Sequence, residues 1–496
     1  MKQLLKNLAF ALLCAGLHTA TAQAQGPTLD PSFVPTVALP ARTGQLLTLA
    51  TNDVVRQPDG KLIVAGSFSQ INNVSVSYLC RLLPNGQVDA TFATAGPNGT
   101  VRSVALQPDG KLVIGGDFTA VGRQPRNGLA RLLPNGTLDT GFTSPFGIIP
   151  IAGLQTAAVR KVVLQPGAGI LVTGGLNTTA AVAAPDARLV RVSEATGALD
   201  PSFQRVPSTA PGVFDVLVQP NGHLVLAGQP RPFGSQLCSV WGTLPNGAPD
   251  PAFVPLPDTT SARNLVRDPT TGNIYADAND ASGVVGSGPL RLRPNGTLDP
   301  TFNATGALGP GGPLNAMIWS LAVQPNGRLL LGGNIYDGSR SYGTWRLMPN
   351  GTRDGSYQPG NGPVVNSERV YKVLVQPDGA LVFGGSFDRV GSSPRDGLAR
   401  MLDPNVLAIS NQKSADDDLT AWPVPAHDVL HLRLAAPGGD PVRLTLLDAL
   451  GRVVRQQDAA HGQTALALPT AGLPPGTYLL RVAYPSGPVL RRVTVE

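Results

Sequence analysis

The sequence predicts an all-β protein: a seven-bladed β-propeller closed by an N-terminal strand, plus a small C-terminal Ig-like β-sandwich. Three observations carry that expectation. One phrase recurs seven times at intervals of 48 to 58 residues, and a period of roughly 50 residues belongs to propeller blades and repeat arrays. The triplets Pro-Asp-Gly and Pro-Asn-Gly punctuate apolar runs of strand length. The composition, 42% hydrophobic and 14% charged with 58 Gly and 47 Pro in 496 residues, suits buried strands joined by tight turns.

The chain begins as a secretory signal. Lys2 and Lys6 form a positive stretch, Leu8 to Leu17 an apolar one, and Ala22-Gln23-Ala24 a small-residue cleavage site, so residues 1–24 are expected to be removed. Cys14 follows Leu13 rather than a small residue, against a lipoprotein anchor. No other apolar run approaches the ~20 residues that span a bilayer, so no transmembrane segment is expected. Export implies an oxidising compartment, yet the mature chain keeps only Cys80 and Cys238, in the first and fourth repeats. A ring holds those repeats apart, so two buried apolar thiols are expected. The formal charge of +6 falls to +4 without Lys2 and Lys6 and forms no basic runs. Nucleic acid is therefore not an expected partner, since phosphate binding needs clustered Lys and Arg.

Residues 25–408 hold the repeats. The phrase is cleanest as Val104-Ala-Leu-Gln-Pro-Asp-Gly-Lys-Leu-Val-Ile-Gly-Gly-Asp-Phe118, and its Gln-Pro element stands at Gln57, Gln107, Gln165, Gln219, Gln324 and Gln376, with a degraded copy at Arg267-Asp-Pro-Thr-Thr-Gly272. Pro presets φ, Asp suits the next position and Gly takes the left-handed conformation, which predicts a tight hairpin in each copy. A second hairpin follows, as in Leu129 to Leu133, the turn Pro134-Asn135-Gly136, and Thr137 to Phe142. Four antiparallel strands per unit are the result. The Leu-Asp-x-x-Phe strand ends most copies but is missing from the seventh, while an orphan copy, Leu29-Asp-Pro-Ser-Phe33, opens the mature chain. That strand is expected to complete the last blade, which also removes an exposed sheet edge.

Strand alternation places the short Pro-x-Gly turns on one face and the longer, varied connections on the other, where a ligand is expected. Five residues before each Gln, or before Arg267, stand Asn52, Arg102, Arg160, Phe214, Ala262, Trp319 and Tyr371. Arg beside aromatics can stack rings and pair with anions; the competing reading is packing between blades. The loop Asn334 to Tyr342 adds Tyr336, Asp337 and Arg340, against the alternative of a solvated loop.

Chemistry is sparse. The repeats contain one histidine, His223, next to the turn Pro220-Asn221-Gly222 and expected to be solvated. A histidine triad or zinc site is therefore not expected, and neither metal nor cofactor is. Asp117, Asp277, Asp280, Asp337 and Asp388 fall on or beside the long-loop face but define no carboxylate pair.

The span Gln107 to Phe142 resembles a delta-60 repeat, and Gln376 to Leu402 does so almost as closely. They share Pro-Arg-Asn-Gly-Leu-Ala-Arg at 125–131 and Pro-Arg-Asp-Gly-Leu-Ala-Arg at 394–400. The resemblance covers roughly residues 28–404 and implies a propeller-like fold on exported bacterial proteins, without an assigned chemistry.

A polar linker, 409–418, precedes six strand candidates between Val429 and Val495. Residues 419–496 are similar to the type A sorting domain of the bacterial type IX secretion system through Trp422-Pro-Val-Pro-Ala-His-Asp428, Leu447-Asp-Ala-Leu-Gly-Arg452, Gly476-Thr-Tyr-Leu-Leu-Arg-Val482 and Arg491-Arg-Val-Thr-Val-Glu496. Pro423, Pro425, Asp448, Gly451, Gly476 and Tyr478 are the motif residues; Val424 stands where Asn is usual. The resemblance implies passage through the periplasm to the cell surface or medium, with the type IX machinery as partner. The expected product is a monomeric binding or scaffold module for an extracellular glycan or protein, not an enzyme. A polysaccharide hydrolase or lyase and a surface-layer component are the alternatives.

Overall fold

The computed structural model describes residues 26–38, 50–92, 96–147, 149–151, 154–156, 158–178, 187–207, 212–233, 236–257, 261–278, 288–304, 316–336, 341–357, 363–364, 369–403, 419–422, 426–434, 442–448, 453–460, 463–484 and 487–496. The expected signal peptide and linker lie outside these residues. Every described element is a strand. Among the described residues no helix is long and apolar enough to cross a membrane.

Each repeat folds as an antiparallel sheet of three main strands, and Val206–Pro207, Leu256–Pro257 and Pro363–Val364 add a short fourth strand to the third, fourth and sixth. Sheet 1 comprises Thr51–Arg56, Leu62–Gly66 and Leu79–Leu82, and sheet 2 Val101–Leu106, Leu112–Gly116 and Leu129–Leu132. Sheet 3 comprises Ala158–Gln165, Gly169–Leu176 and Ala187–Val192, and sheet 4 Val213–Val218, Leu224–Phe233 and Gln236–Thr243. Sheet 5 comprises Leu265–Arg267, Ile274–Ala278 and Gly288–Leu292, sheet 6 Ala316–Val323, Leu329–Tyr336 and Ser341–Leu347, and sheet 7 Arg369–Val375, Leu381–Ser386 and Leu398–Leu402. The Pro-Asp-Gly turns close the first pair as expected: Gln57 N–H donates to Lys61 O at 2.8 Å, and Gly60 sits at φ +88°.

The fourth strand is shorter than expected. In most units the Leu-Asp phrase contributes one bridge, such as Leu82 with Val88 or Leu132 with Leu138. The cause is local, because the Asp side chain takes the N–H two residues on, as Asp89 does with Thr91 at 2.9 Å, and that turn replaces ladder bonds. The orphan phrase forms a true two-residue strand: Thr28 and Leu29 pair with Leu402 and Met401 of sheet 7.

Middle strands such as Leu62–Gly66 and Leu112–Gly116 are buried at every residue, because both faces meet a neighbouring sheet. Ile63 and Ala65 of sheet 1 share a core with Val101, Val104 and Leu112 of sheet 2. At the other end of the repeats, Val382 and Leu398 of sheet 7 pack with Val54, Val64 and Phe33.

The short-turn ends repeat one polar set. Arg81, Arg131, Arg191, Arg291, Arg346 and Arg400 each direct Nε to the phrase Asp of their unit at 2.7–2.9 Å, and each covers the ring that ends that phrase at 4.7–5.1 Å. For Arg400 the partners are Asp30 and Phe33 of the orphan strand. The other end of the guanidinium often crosses to the next unit: Arg81 donates to Pro134 O at 2.8 Å, Arg191 to Pro245 O at 2.7 Å, Arg291 to Pro349 O at 2.6 Å and Arg400 to Pro84 O at 2.6 Å. The ring also crosses. A Cβ on Gly136 (φ +91°) would stand 2.9 Å from Phe92, and one on Gly86 (φ +85°) 3.1 Å from Phe33.

Sheet 4 lacks the Arg, and Phe253 occupies the space over Gly242. There His223 Nδ1 contacts buried Asp250 at 2.7 Å, where Lys61 and Arg328 meet Asp89 and Asp354. His223 is thus a partner of the repeat carboxylate rather than merely solvated. Cys80 and Cys238 are both buried, and burial pushes the Cys80 thiol far above its ordinary range.

In the C-terminal region Leu419–Trp422, Val429–Leu434 and Ala465–Pro469 form one sheet, and Val442–Leu447, Val453–Ala459, Gly476–Tyr484 and Gly487–Val495 another. Leu430, Leu432, Leu444, Leu446, Leu480 and Val493 make their common core. Tyr478 is buried and its hydroxyl donates to Pro474 O at 2.6 Å; Gly476 opens its strand and Asp448 follows one. Pro423, Pro425 and Gly451 lie outside the described residues.

Candidate loop-side mouth

The first strand of six of the seven sheets carries a β-bulge, and in each the extra residue is the one singled out by spacing. Thr51 pairs with Gly66 and Asp53 with Ala65, leaving Asn52 between them. Arg102, Arg160, Phe214, Trp319 and Tyr371 hold the same position in sheets 2, 3, 4, 6 and 7. A bulge re-aims its extra side chain and bends the strand. The repeated glycine of the middle strand permits it: a Cβ on Gly66 would lie 2.0 Å from Ala50 O, and one on Gly385 2.1 Å from Arg369 O.

The re-aimed side chains line one cleft of about 460 Å³ with Asn52, Arg102, Arg160, Arg263, Trp319, Arg369 and Tyr371. Phe214 lines an adjoining pocket that shares Asn52, Arg102, Arg160, Arg263, Trp319 and Tyr371 with it, and Arg188 and Asp117 line another that shares Arg102 and Arg160. Ala262 does not line the cleft; it is buried, and Arg263 stands in its place. The reason is the turn. Asp268, not Arg267, makes the bond that Gln makes elsewhere, its N–H donating to Asn273 O at 2.8 Å, and five residues before Asp268 is Arg263. Arg188 and Arg369 had no spacing signal. Tyr336 ends the strand Leu329–Tyr336, while Asp337, Arg340 and Asp280 lie outside the described residues.

Rings and guanidinium groups alternate across the cleft. Arg160 covers Phe214 at 4.4 Å, Arg263 contacts Phe214 at 5.3 Å and Trp319 at 5.4 Å, and Arg369 approaches Trp319 at 5.4 Å. Tyr371 meets Trp319 edge-on at 5.5 Å. Arg102 is held by Asp117, Nη2 to Oδ2 at 2.6 Å. Burial first, then Arg263 and Arg102, lowers Arg160 to about 10, still cationic at neutral pH.

Immediately beneath lies a second tier that joins sheets. Asp53 Oδ2 accepts from Val104 N at 2.9 Å, Asp215 Oδ2 from Leu265 N at 2.9 Å, Ser103 Oγ from Val162 N at 3.3 Å and Ser320 Oγ from Val373 N at 3.0 Å. Lys161 pairs with Asp215, and Lys372 of sheet 7 with Asp53 of sheet 1 at 2.8 Å. These carboxylates are committed to holding neighbouring sheets. Asp277 is fully buried and accepts from the backbone N–H of Arg263 at 2.7 Å and Asn264 at 2.6 Å; burial, then the nearby Asp215, raises it to about 6. Among the described residues no group of three or more His, Cys, Asp or Glu is placed to hold a metal ion. Asp388 is exposed beside Arg389.

The family described as domain of unknown function (DUF5122) beta-propeller matches residues 57–92, 107–142, 275–302, 324–357 and 376–402, and the secretion system C-terminal sorting domain matches 420–496. Both the repeat and the terminal domain expected from the motifs are therefore found. A sorting domain of this kind indicates export, to the cell surface or the medium, and implies interaction with the type IX secretion machinery. No curated protein matches the chain. Similar solved structures include the extracellular domain of a proposed one component system from B. thetaiotaomicron (TM-score 0.42, 11% identity, covering 93% of this chain and 58% of that one). PorZ, a surface component of the type-IX secretion system of Porphyromonas gingivalis, gives 0.41, 13%, 92% and 61%. An exo-beta-1,3-galactanase from Phanerochaete chrysosporium gives 0.27, 10%, 83% and 96%. The chain spans 58% and 61% of the length of the first two.

Proposed function

On the premise that the chain carries DUF5122 β-propeller repeats and a secretion-system sorting domain, we propose an exported seven-bladed ring that binds a ligand at its loop-side mouth. In this reading residues 1–24 are the signal peptide, 25–408 the ring, 409–418 the linker and 419–496 the sorting domain, an Ig-like sandwich. Closure is supported by four contacts between the first and last units: Thr28 and Leu29 with sheet 7, Arg400 with Pro84, Lys372 with Asp53, and the core shared by Val382 and Val54.

Binding rather than catalysis is favoured by one observation. The bulges place a varied position of the repeat, with its Arg and aromatic side chains, in one cleft, while Asp53 and Asp215 beneath it are used to join sheets. A glycan array probed with the mature chain, read beside an assay for newly released reducing ends, tests this. Retention of a ligand without turnover is expected; turnover favours the hydrolase or lyase. Ordered self-assembly without a ligand favours the surface-layer component. Deleting 419–496 is expected to leave the protein in the periplasm, and unchanged export contradicts the role given to that domain.

A further inference from the structure

Four guanidinium groups, those of Arg102, Arg160, Arg263 and Arg369, line the mouth, and that of Arg188 lines the adjoining pocket. Among the described residues Asp117 alone ion-pairs with any of them, through Arg102. Arg160, Arg263 and Arg369 instead lie against Phe214 and Trp319. Cation–π contact engages a guanidinium at its face and leaves the N–H donors at its edge available, and those donors match the paired oxygens of a carboxylate, sulfate or phosphate. Gathering cations in a half-enclosed cleft costs free energy until an anion arrives. The cost is visible at Arg160, whose hold on its proton is weakened by burial and by Arg263 and Arg102. Lys161 and Lys372, one tier down, are each matched by an Asp, so the unmatched positive charge lies at the opening.

We infer that the mouth takes an anionic glycan, an oligosaccharide bearing carboxylate, sulfate or phosphate, with Arg160, Arg263 and Arg369 as the oxyanion donors and Phe214 and Trp319 holding them in position. This deepens the binding reading above and rests on it. The cleft of about 460 Å³ is within the ordinary range for small-ligand sites.

The test is calorimetric titration of the mature full-length chain with an oligogalacturonate, a heparin-derived oligosaccharide, a mannose 6-phosphate oligosaccharide, inorganic phosphate and a neutral cello-oligosaccharide. Binding of at least one charged sugar, weakening about tenfold or more as salt rises from roughly 50 to 500 mM, is expected. R263Q and R369Q are each expected to weaken that binding about tenfold without changing the melting temperature, whereas R263K retains part of it. The two arginines are independent, so one poorly folding variant leaves the test intact. The charged group of the best ligand identifies its source, and phosphate binding as tightly as any sugar would reduce the site to an anion site and overturn the glycan. A neutral oligosaccharide bound without salt dependence overturns the inference while leaving the binding reading standing. Failure of every sugar here and on the array overturns both.

Discussion

The two ends of the same sheets obey different rules. At the short-turn end six of the seven units repeat an Arg, an Asp and an aromatic ring in one geometry. At the loop-side end the bulge positions, with Arg263 for sheet 5, hold five residue types in seven places: Asn52, Arg102, Arg160, Phe214, Arg263, Trp319 and Tyr371. The short-turn set reaches from one unit into the next, in four copies to a proline carbonyl, from Arg131 to the carbonyls of Glu194 and Ala195, and from Arg346 to the Asp403 carboxylate, so its members are held to one geometry. A bulged residue faces the opening and meets its neighbours there in varied ways, Asn52 donating to Val101 O at 3.0 Å and Arg160 covering the Phe214 ring at 4.4 Å, so its chemistry is free to differ. Repetition marks what assembles the repeats, and variation marks what can meet a ligand.

That contrast breaks if the short-turn set is dispensable. The largest loss is expected for Arg346→Ala, since Arg346 has no exposed side-chain surface and pairs with both Asp354 and Asp403, themselves 4% and 0% exposed. Removing the cation takes from two buried carboxylates the guanidinium they share, leaving Arg328 on Asp354 and the Gln324 amide on Asp403, and urea denaturation should show a loss of about 3 kcal/mol. Phe33→Ala empties a fully buried site over Gly86 and should cost about 3 kcal/mol by the same measurement, the low end for such truncations because the chain start can relax.

Asp277 sharpens the comparison, because it lies behind the mouth and acts through Arg263. Its carboxyl is raised from 3.8 to about 6, so the folded state holds the proton more tightly than the unfolded one. Its contribution to stability is therefore greatest below about pH 4, falls as pH rises to about 6 and is flat above. Asp277→Asn lacks that titration, and its stability relative to the natural protein should improve by roughly 2–3 kcal/mol between pH 4 and pH 7. The smallest effect is expected at the opening itself: Arg263→Gln should change stability by less than about 0.5 kcal/mol in urea, as for a surface site.

Much of the assembly was legible because its signals are local. Pro-Asp-Gly fixes a hairpin wherever it falls, and the orphan Leu29 to Phe33 was recognisable as a displaced copy. The fourth strand was over-read, since Asp89 and its counterparts turn the backbone with their own side chains. The inter-unit reach of Arg81 and Arg191 spans more than fifty residues and leaves no mark within one copy. The bulge did leave a mark, the glycine at Gly66, Gly116, Gly228, Gly333 and Gly385, whose missing Cβ makes room for a carbonyl. Arg263 slipped by one place because the fifth turn replaces Gln with Asp268, and only the hydrogen bond to Asn273 sets the count right.

Closure of the seven units into one ring is tested most directly by joining Thr28 to Leu402, the exposed outermost pair of the register that sews the chain start to sheet 7. Directly opposed residues of antiparallel strands lie about 4.5–5.5 Å apart at Cα, within reach of a disulfide. In Thr28→Cys/Leu402→Cys, mild oxidation followed by non-reducing peptide mass mapping should find the intramolecular 28–402 bond in nearly all molecules, with no loss of melting temperature. Free thiols at both positions, or a bond formed only between molecules, would contradict the ring.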